Sequence, residues 1–144
     1  MKPTMLLCDA AQVQGGKLFV LGGGWDTTGP EPMPSAIALH VAVPWSETNV
    51  AHRLRVSLES EDGQPVVLPD GSLVEITSDF EVGRPPGVHR GAEIAMALAL
   101  TIPPLPLAPG ARYRWCLEID GERSGDWCLP FGVRRHPTTV GVGQ

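Results

Sequence analysis

Gly91-Ala92-Glu93-Ile94-Ala95-Met96-Ala97-Leu98-Ala99-Leu100-Thr101-Ile102 is the stretch on which the fold class turns. Its Ala, Leu, Met and Glu content favours a helix. Its apolar spacing does not. Ile94, Met96, Leu98, Leu100 and Ile102 share one face only at a period of two, and at 3.6 residues per turn they spread around the cylinder. The spacing therefore predicts a strand, in which a register slip of one residue would put five large side chains in water.

The same period recurs on both sides. Arg53-Leu54-Arg55-Val56-Ser57-Leu58-Glu59 alternates without a miss, as a half-buried strand does. Ile37, Leu39, Val41 and Val43 oppose Ala38, His40 and Ala42, and Val74, Ile76, Phe80 and Val82 oppose Glu75, Thr77, Asp79 and Glu81. Tyr113, Trp115, Leu117 and Ile119 oppose Arg114, Cys116 and Glu118, and Trp127, Leu129, Phe131 and Val133 form a last set. Residues 5–8 read as a first strand. Residues 18–21 are a continuous apolar run, which predicts a more fully buried strand.

Turn chemistry separates these segments. Asp62-Gly63 and Asp120-Gly121 are hairpin signals, because Gly accepts positive φ. Gly15-Gly16 and Pro69-Asp70-Gly71 mark further turns, and the proline-bearing segments 83–87 and 103–110 are extended loops. Residues 46–49 suggest one helical turn capped by Ser46. Eight or nine short strands about ten residues apart predict an all-β chain. The expected form is a single antiparallel β-sandwich, immunoglobulin-like or related, over residues 1–136, with a loose tail at 137–144.

The chain has 144 residues, one domain's worth, and Gly 17 with Pro 15 suits short segments better than long helices. Sixteen acids against eleven Lys and Arg leave a net charge of −5. That balance argues against nucleic acid as a partner, and Arg134-Arg135-His136 reads as a solvated strand end. The first apolar run stops at Asp9, short of a signal-peptide core, and no apolar stretch approaches the roughly 20 residues that cross a bilayer. The expectation is a soluble cytoplasmic protein with no membrane partner.

Site chemistry is sparse. His40, His52, His89 and His136 are scattered and make no metal-ligand spacing, and no run of alternating acids suggests calcium. Gly22-Gly23-Gly24-Trp25-Asp26 lacks the Gly-Lys-Ser/Thr of a phosphate loop and reads as a strand-end bend. No nucleophile elbow is present. These absences predict a non-enzyme without cofactor or metal. Cys116 and Cys128 lie on the outward parity of neighbouring strands and form a possible thiol pair, expected as two free thiols in a reducing cytoplasm. Cys8 reads as a small buried apolar residue. Trp25, Asp26 and Trp45 form the candidate binding surface, with capping of the core ends as the competing role for the two indoles. Pro103, Pro106 and Pro109 read as a rigid connector.

Several stretches together resemble a family of small bacterial proteins known only as a domain of unknown function. They are Leu6-Leu-Cys-Asp, Gly22-Gly-Gly-Trp-Asp26, Pro44-Trp45, Phe80-Glu-Val-Gly-Arg-Pro-Pro-Gly87 and Tyr113-Arg-Trp-Cys-Leu-Glu-Ile-Asp-Gly121. The resemblance covers roughly residues 4–134 and implies a stand-alone β-rich domain with no assigned activity. The closing strand pair also looks like the end of immunoglobulin-like bacterial modules. Three functions are expected in this order. The first is a binding or structural module acting through a protein partner or self-association. The second is a small-ligand or carbohydrate binder using Trp25 and Trp45, and the third is an enzyme whose site the fold assembles around His40, His52 and an Asp.

Overall fold

The computed structural model describes residues 1–137. The tail expected at 137–144 lies, from residue 138 on, outside the described residues. The chain is all-β. Its strands are β1 (Lys2–Gln14), β2 (Lys17–Gly23), β3 (Thr27–Thr28), β4 (Ser35–Val43), β5 (Ala51–Ser60), β6 (Glu75–Glu81), β7 (Ile94–Ile102), β8 (Arg112–Ile119) and β9 (Glu122–Val133). They form two curled sheets, ordered β2-β1-β4-β7 and β3-β9-β8-β5-β6. The pairings among these strands are antiparallel, except that Thr27 and Thr28 run parallel to Gly132 and Val133.

One apolar core lies between the sheets. Ile37, Leu39, Val41 and Val43 of β4 join Leu54, Val56 and Leu58 of β5 and Trp115, Leu117 and Ile119 of β8, all buried. Each such side chain contributes on the order of 1.5–3 kcal/mol relative to exposure. The disputed segment is a strand. Ile94, Leu100 and Ile102 of β7 are buried, and Met96 and Leu98 pack on the core although β7 is a sheet edge. Asp120 (φ 51) and Gly121 (φ 82) make the tight β8–β9 turn that the Asp-Gly pair predicts.

The first hairpin departs from expectation. Residues 2–8 of β1 pair with β4, and residues 8–14 pair with β2. Past Cys8 the hairpin folds back over the outer face of its own sheet. Ala11 and Leu18 pack against Cys8, Ala36 and Ala38. Alanines on that face allow the backbones to approach closely.

The run at 18–21 is thus not a fully buried strand. Only Leu18 turns to the protein, while Phe19 is 49% and Leu21 70% exposed. The apolar run suggested cover on both faces, but β2 is an edge strand beside β1 alone. A second correction concerns Ser46. The turn is a 3-10 turn at Trp45–Glu47 entered from Pro44, with no side-chain cap. Thr48 closes it instead, its hydroxyl donating to the Trp45 carbonyl at 2.6 Å.

Candidate functional site

The glycine run is the bend that places Trp25. Gly22 and Gly24 take left-handed φ values of 60 and 92°, and the Gly24 N–H donates to the Leu7 carbonyl at 2.8 Å. Trp25 then meets Phe131 edge-on, 6.3 Å between centroids. It lines a cleft of about 590 Å³ walled by the 29–34 loop on one side and Leu105 and Leu107 on the other. Asp9, Glu31 and Arg134 also line it. The indole Nε1 of Trp25 is buried and, among the described residues, has no hydrogen-bond partner. The connector that carries Pro103, Pro106 and Pro109 contributes Pro103, Leu105 and Leu107 to the cleft wall, with the two leucines packed on the core. Asp26 is taken up structurally. Its carbonyl accepts from the Gly132 N–H at 2.9 Å, which ties the start of β3 to β9, while its exposed carboxylate accepts only from the adjacent Thr27 hydroxyl at 3.2 Å among the described residues.

Trp45 lies elsewhere. Ser35, at the start of β4, lines the Trp25 cleft, whereas Trp45 follows the end of that strand. Nine extended residues separate the two ends by roughly 25 Å. The Arg84 guanidinium covers the Trp45 ring at 3.8 Å, donating to the Trp45 carbonyl at 2.8 Å and the Thr48 hydroxyl at 2.7 Å. Trp25 and Trp45 therefore do not form one aromatic surface. Parity and proximity to turns located each indole at a strand end but carried no information on which end.

The structure joins His52 to Asp120. Nδ1 of His52 is 2.6 Å from Asp120 Oδ2, and Nε2 is 2.7 Å from the Glu47 carbonyl. The ring is buried and stacks on Phe80 at 5.2 Å. Burial pushes the His52 pKa down, but the Glu47 carbonyl and the Asp120 carboxylate outweigh it and hold the value above the usual range. The Arg53 N–H and then His52 hold Asp120 below the usual carboxylate range. Both ring nitrogens are occupied, and neither residue lines the Trp25 cleft. The pair ties the 3-10 turn to the β8–β9 turn and has no free nitrogen for a proton transfer. His40 is exposed on β4 of the other sheet, and His89 is exposed in the loop before β7. Among the described residues no cluster of His, Cys, Asp and Glu suits a metal ion.

Cys116 and Cys128 are bonded in a disulfide and are not two free thiols. They are direct partners in the β8–β9 ladder, with Cα atoms 4.1 Å apart, so the register itself brings the sulfurs together. Cys8 is buried, and its thiol donates to the Ala36 carbonyl at 3.4 Å. Beside the disulfide lies a feature that alternation had assigned only to the outer face. Glu59, 5% exposed, accepts from Arg114 at 3.1 Å and Arg123 at 2.7 Å.

Among the described residues, Leu6, Phe19, Val20 and Leu21 bring apolar surface to solvent on the β1–β2 hairpin and its base. Edge strands of this kind are pairing surfaces. Among the described residues no helix is long and apolar enough to cross a membrane.

No curated protein and no solved structure matches this chain. A family model matches residues 3–133, and the chain therefore belongs to DUF6941, a family of unknown function.

Proposed function

We propose that this chain is a non-catalytic, immunoglobulin-like β-sandwich module that works by protein–protein contact, with a partner protein or with itself. The observation that carries this reading is the exposed apolar strip on β2, Phe19 to Leu21, beside a sheet edge that pairs with no further strand among the described residues. Apolar strips on strand edges are costly in water and promote association, and surfaces without a use for them are generally charged or covered. The test is retention of protein from source-cell extract on the immobilised chain, with bound polypeptides identified by mass spectrometry. Wild type is expected to hold a polypeptide, this chain or another, that a folded Phe19→Lys/Leu21→Lys variant loses. Equal retention by both would sink the reading.

A second reading rests on the Trp25 cleft. A concavity of about 590 Å³ that joins the Trp25 indole to Asp9, Glu31 and Arg134 suits a small polar ligand, such as a sugar that stacks on the ring and bonds to the charged groups. It predicts that Trp25→Phe, which keeps the packing on Phe131, reduces ligand-induced chemical-shift changes at the cleft.

A further inference from the structure

We propose that β2 pairs antiparallel with β2 of a second copy, across a two-fold axis at Phe19. This rests on the reading of the hairpin as a binding surface and names its occupant.

The hydrogen-bond parity sets the geometry. Gln14 and Lys17 flank the two-residue Gly15-Gly16 turn, whose φ values of 58 and 73° are those of a type I′ hairpin. In such a hairpin the flanking residues exchange both N–H and C=O, and every second pair outward does the same. The β1 register makes these pairs Gln14–Lys17, Gln12–Phe19 and Ala10–Leu21. The N–H and C=O groups of Leu18 and Val20 therefore point to the free edge.

Gly22, in the left-handed region at φ 60°, ends the regular stretch and limits the pairing window to residues 17–21. An antiparallel arrangement centred on Phe19 places Leu18 opposite the partner's Val20 and Val20 opposite the partner's Leu18. Both are hydrogen-bonded pairs, so every free donor and acceptor of the window is used. Phe19 then faces the partner's Phe19 in the closer, non-hydrogen-bonded kind of pair, about 4.5 Å between Cα atoms.

Charge favours a second copy as occupant. The chain carries a net charge of −5, yet residues 10–24 hold no acid and one base, Lys17. Two acidic proteins can meet at this strip without facing carboxylates. The two Lys17 side chains fall at opposite ends of the window, roughly 13 Å apart along the strands and beyond the screening length of about 8 Å at physiological salt. The other edges are less suited. β6 carries Glu75, Asp79 and Glu81, β3 has two residues, and the loop through Gly83 and Pro85 borders the first half of β7.

The test combines light scattering after size exclusion with cysteine cross-linking. Wild type is expected to shift from monomer to dimer with concentration. Val20→Pro, which removes a donor on the free edge and leaves the β1 ladder intact, is expected to stay monomeric with unchanged circular dichroism. Phe19→Cys is expected to give a covalent dimer on mild oxidation, whereas Leu21→Cys, opposite the partner's Lys17, is not. Should Val20→Pro fail to fold, the cross-linking contrast decides alone. A wild-type monomer at all concentrations, or equal cross-linking from positions 19 and 21, overturns the proposal. A monomer that still retains a foreign protein in the extract experiment overturns this pairing only and leaves the binding role standing.

Discussion

His52 and Asp120 stand 68 positions apart and meet at 2.6 Å, because β5 and β8 pair with Leu54 opposite Ile119. Asp120 is fixed in turn by two bonds to Arg53. Its carboxylate accepts from the Arg53 N–H at 2.9 Å, and its own N–H donates to the Arg53 carbonyl at 2.8 Å. A turn residue chosen for its backbone conformation thus also anchors a buried imidazole.

This pair makes stability depend on pH with a defined sign. Both His52 nitrogens face acceptors, which only the imidazolium satisfies together. Its folded pKa is raised. Its contribution is therefore complete below the unfolded value of about 6.5 and is lost as pH rises through the folded value. Asp120 is depressed, so its contribution is complete above about 3.9 and is lost as pH falls through the lower folded value. The thermal midpoint should be highest between about pH 4 and 6.5 and decline on the alkaline side. His52→Phe should lower stability by about 1–3 kcal/mol and flatten that alkaline decline. Calorimetry from pH 4 to 9 checks both, and an alkaline limb that persists in the variant assigns the effect elsewhere.

Glu59 predicts an asymmetry between two kinds of substitution. It is the buried member of its cluster, while the Arg114 and Arg123 side chains are 39% and 46% exposed. With Glu59→Gln the two guanidinium groups can turn to water, and the cost should be about 1 kcal/mol. Arg114→Met with Arg123→Met leaves a buried carboxylate unpaired and should cost about 3–5 kcal/mol. Urea unfolding of the two variants distinguishes these magnitudes. Equal costs would mean that the carboxylate reaches water once the arginines are gone.

How much was legible follows from what each signal encodes. Alternation reports a strand and its inward face, so β5, β7 and β8 could be read against the helix propensity of the alanines in β7. An apolar run reports only that water is unwelcome. It could not distinguish a strand covered on both faces from β2, an edge folded over a neighbouring sheet. That fold-over depends on Cys8 being the last β1 residue to pair with β4, which no local pattern records. Trp25 was located at its glycine bend, but its distance from Trp45 is a property of β4's length and direction. His52 with Asp120, and Glu59 with Arg123, are joined by strand pairing between distant segments. Chemistry alone singled out neither pair.

The disulfide can be counted. With Cys116 and Cys128 bonded, the denatured but unreduced chain should take one alkyl group, on Cys8, and the reduced chain three. The bond closes a short loop, 12 residues in separation. Its loss in Cys116→Ser/Cys128→Ser should cost roughly 2–3 kcal/mol, by restoring freedom to the unfolded chain. Three alkyl groups without reduction would return the pair to the free-thiol state expected of a reducing cytoplasm.

The alanine face provides the sharpest test of the folded-over hairpin. Ala38 and Ala95 both lie on the outer face of the β1–β4–β7 sheet, yet Ala38 is 4% exposed and Ala95 is exposed. The difference lies in cover, since Ala11 and Leu18 of the hairpin pack against the buried cluster that includes Ala38. Ala38→Leu adds volume where no space remains and should cost about 1–3 kcal/mol. The strain should be relieved by lifting the hairpin, because among the described residues the ladder of β1 beyond Cys8 runs to β2 alone. Amide exchange in residues 10–21 should therefore accelerate well before the core strands β4 and β5 respond. Ala95→Leu should change stability by less than about 0.5 kcal/mol and leave hairpin exchange unaltered. If the two substitutions behave alike, the hairpin does not rest on that face in solution.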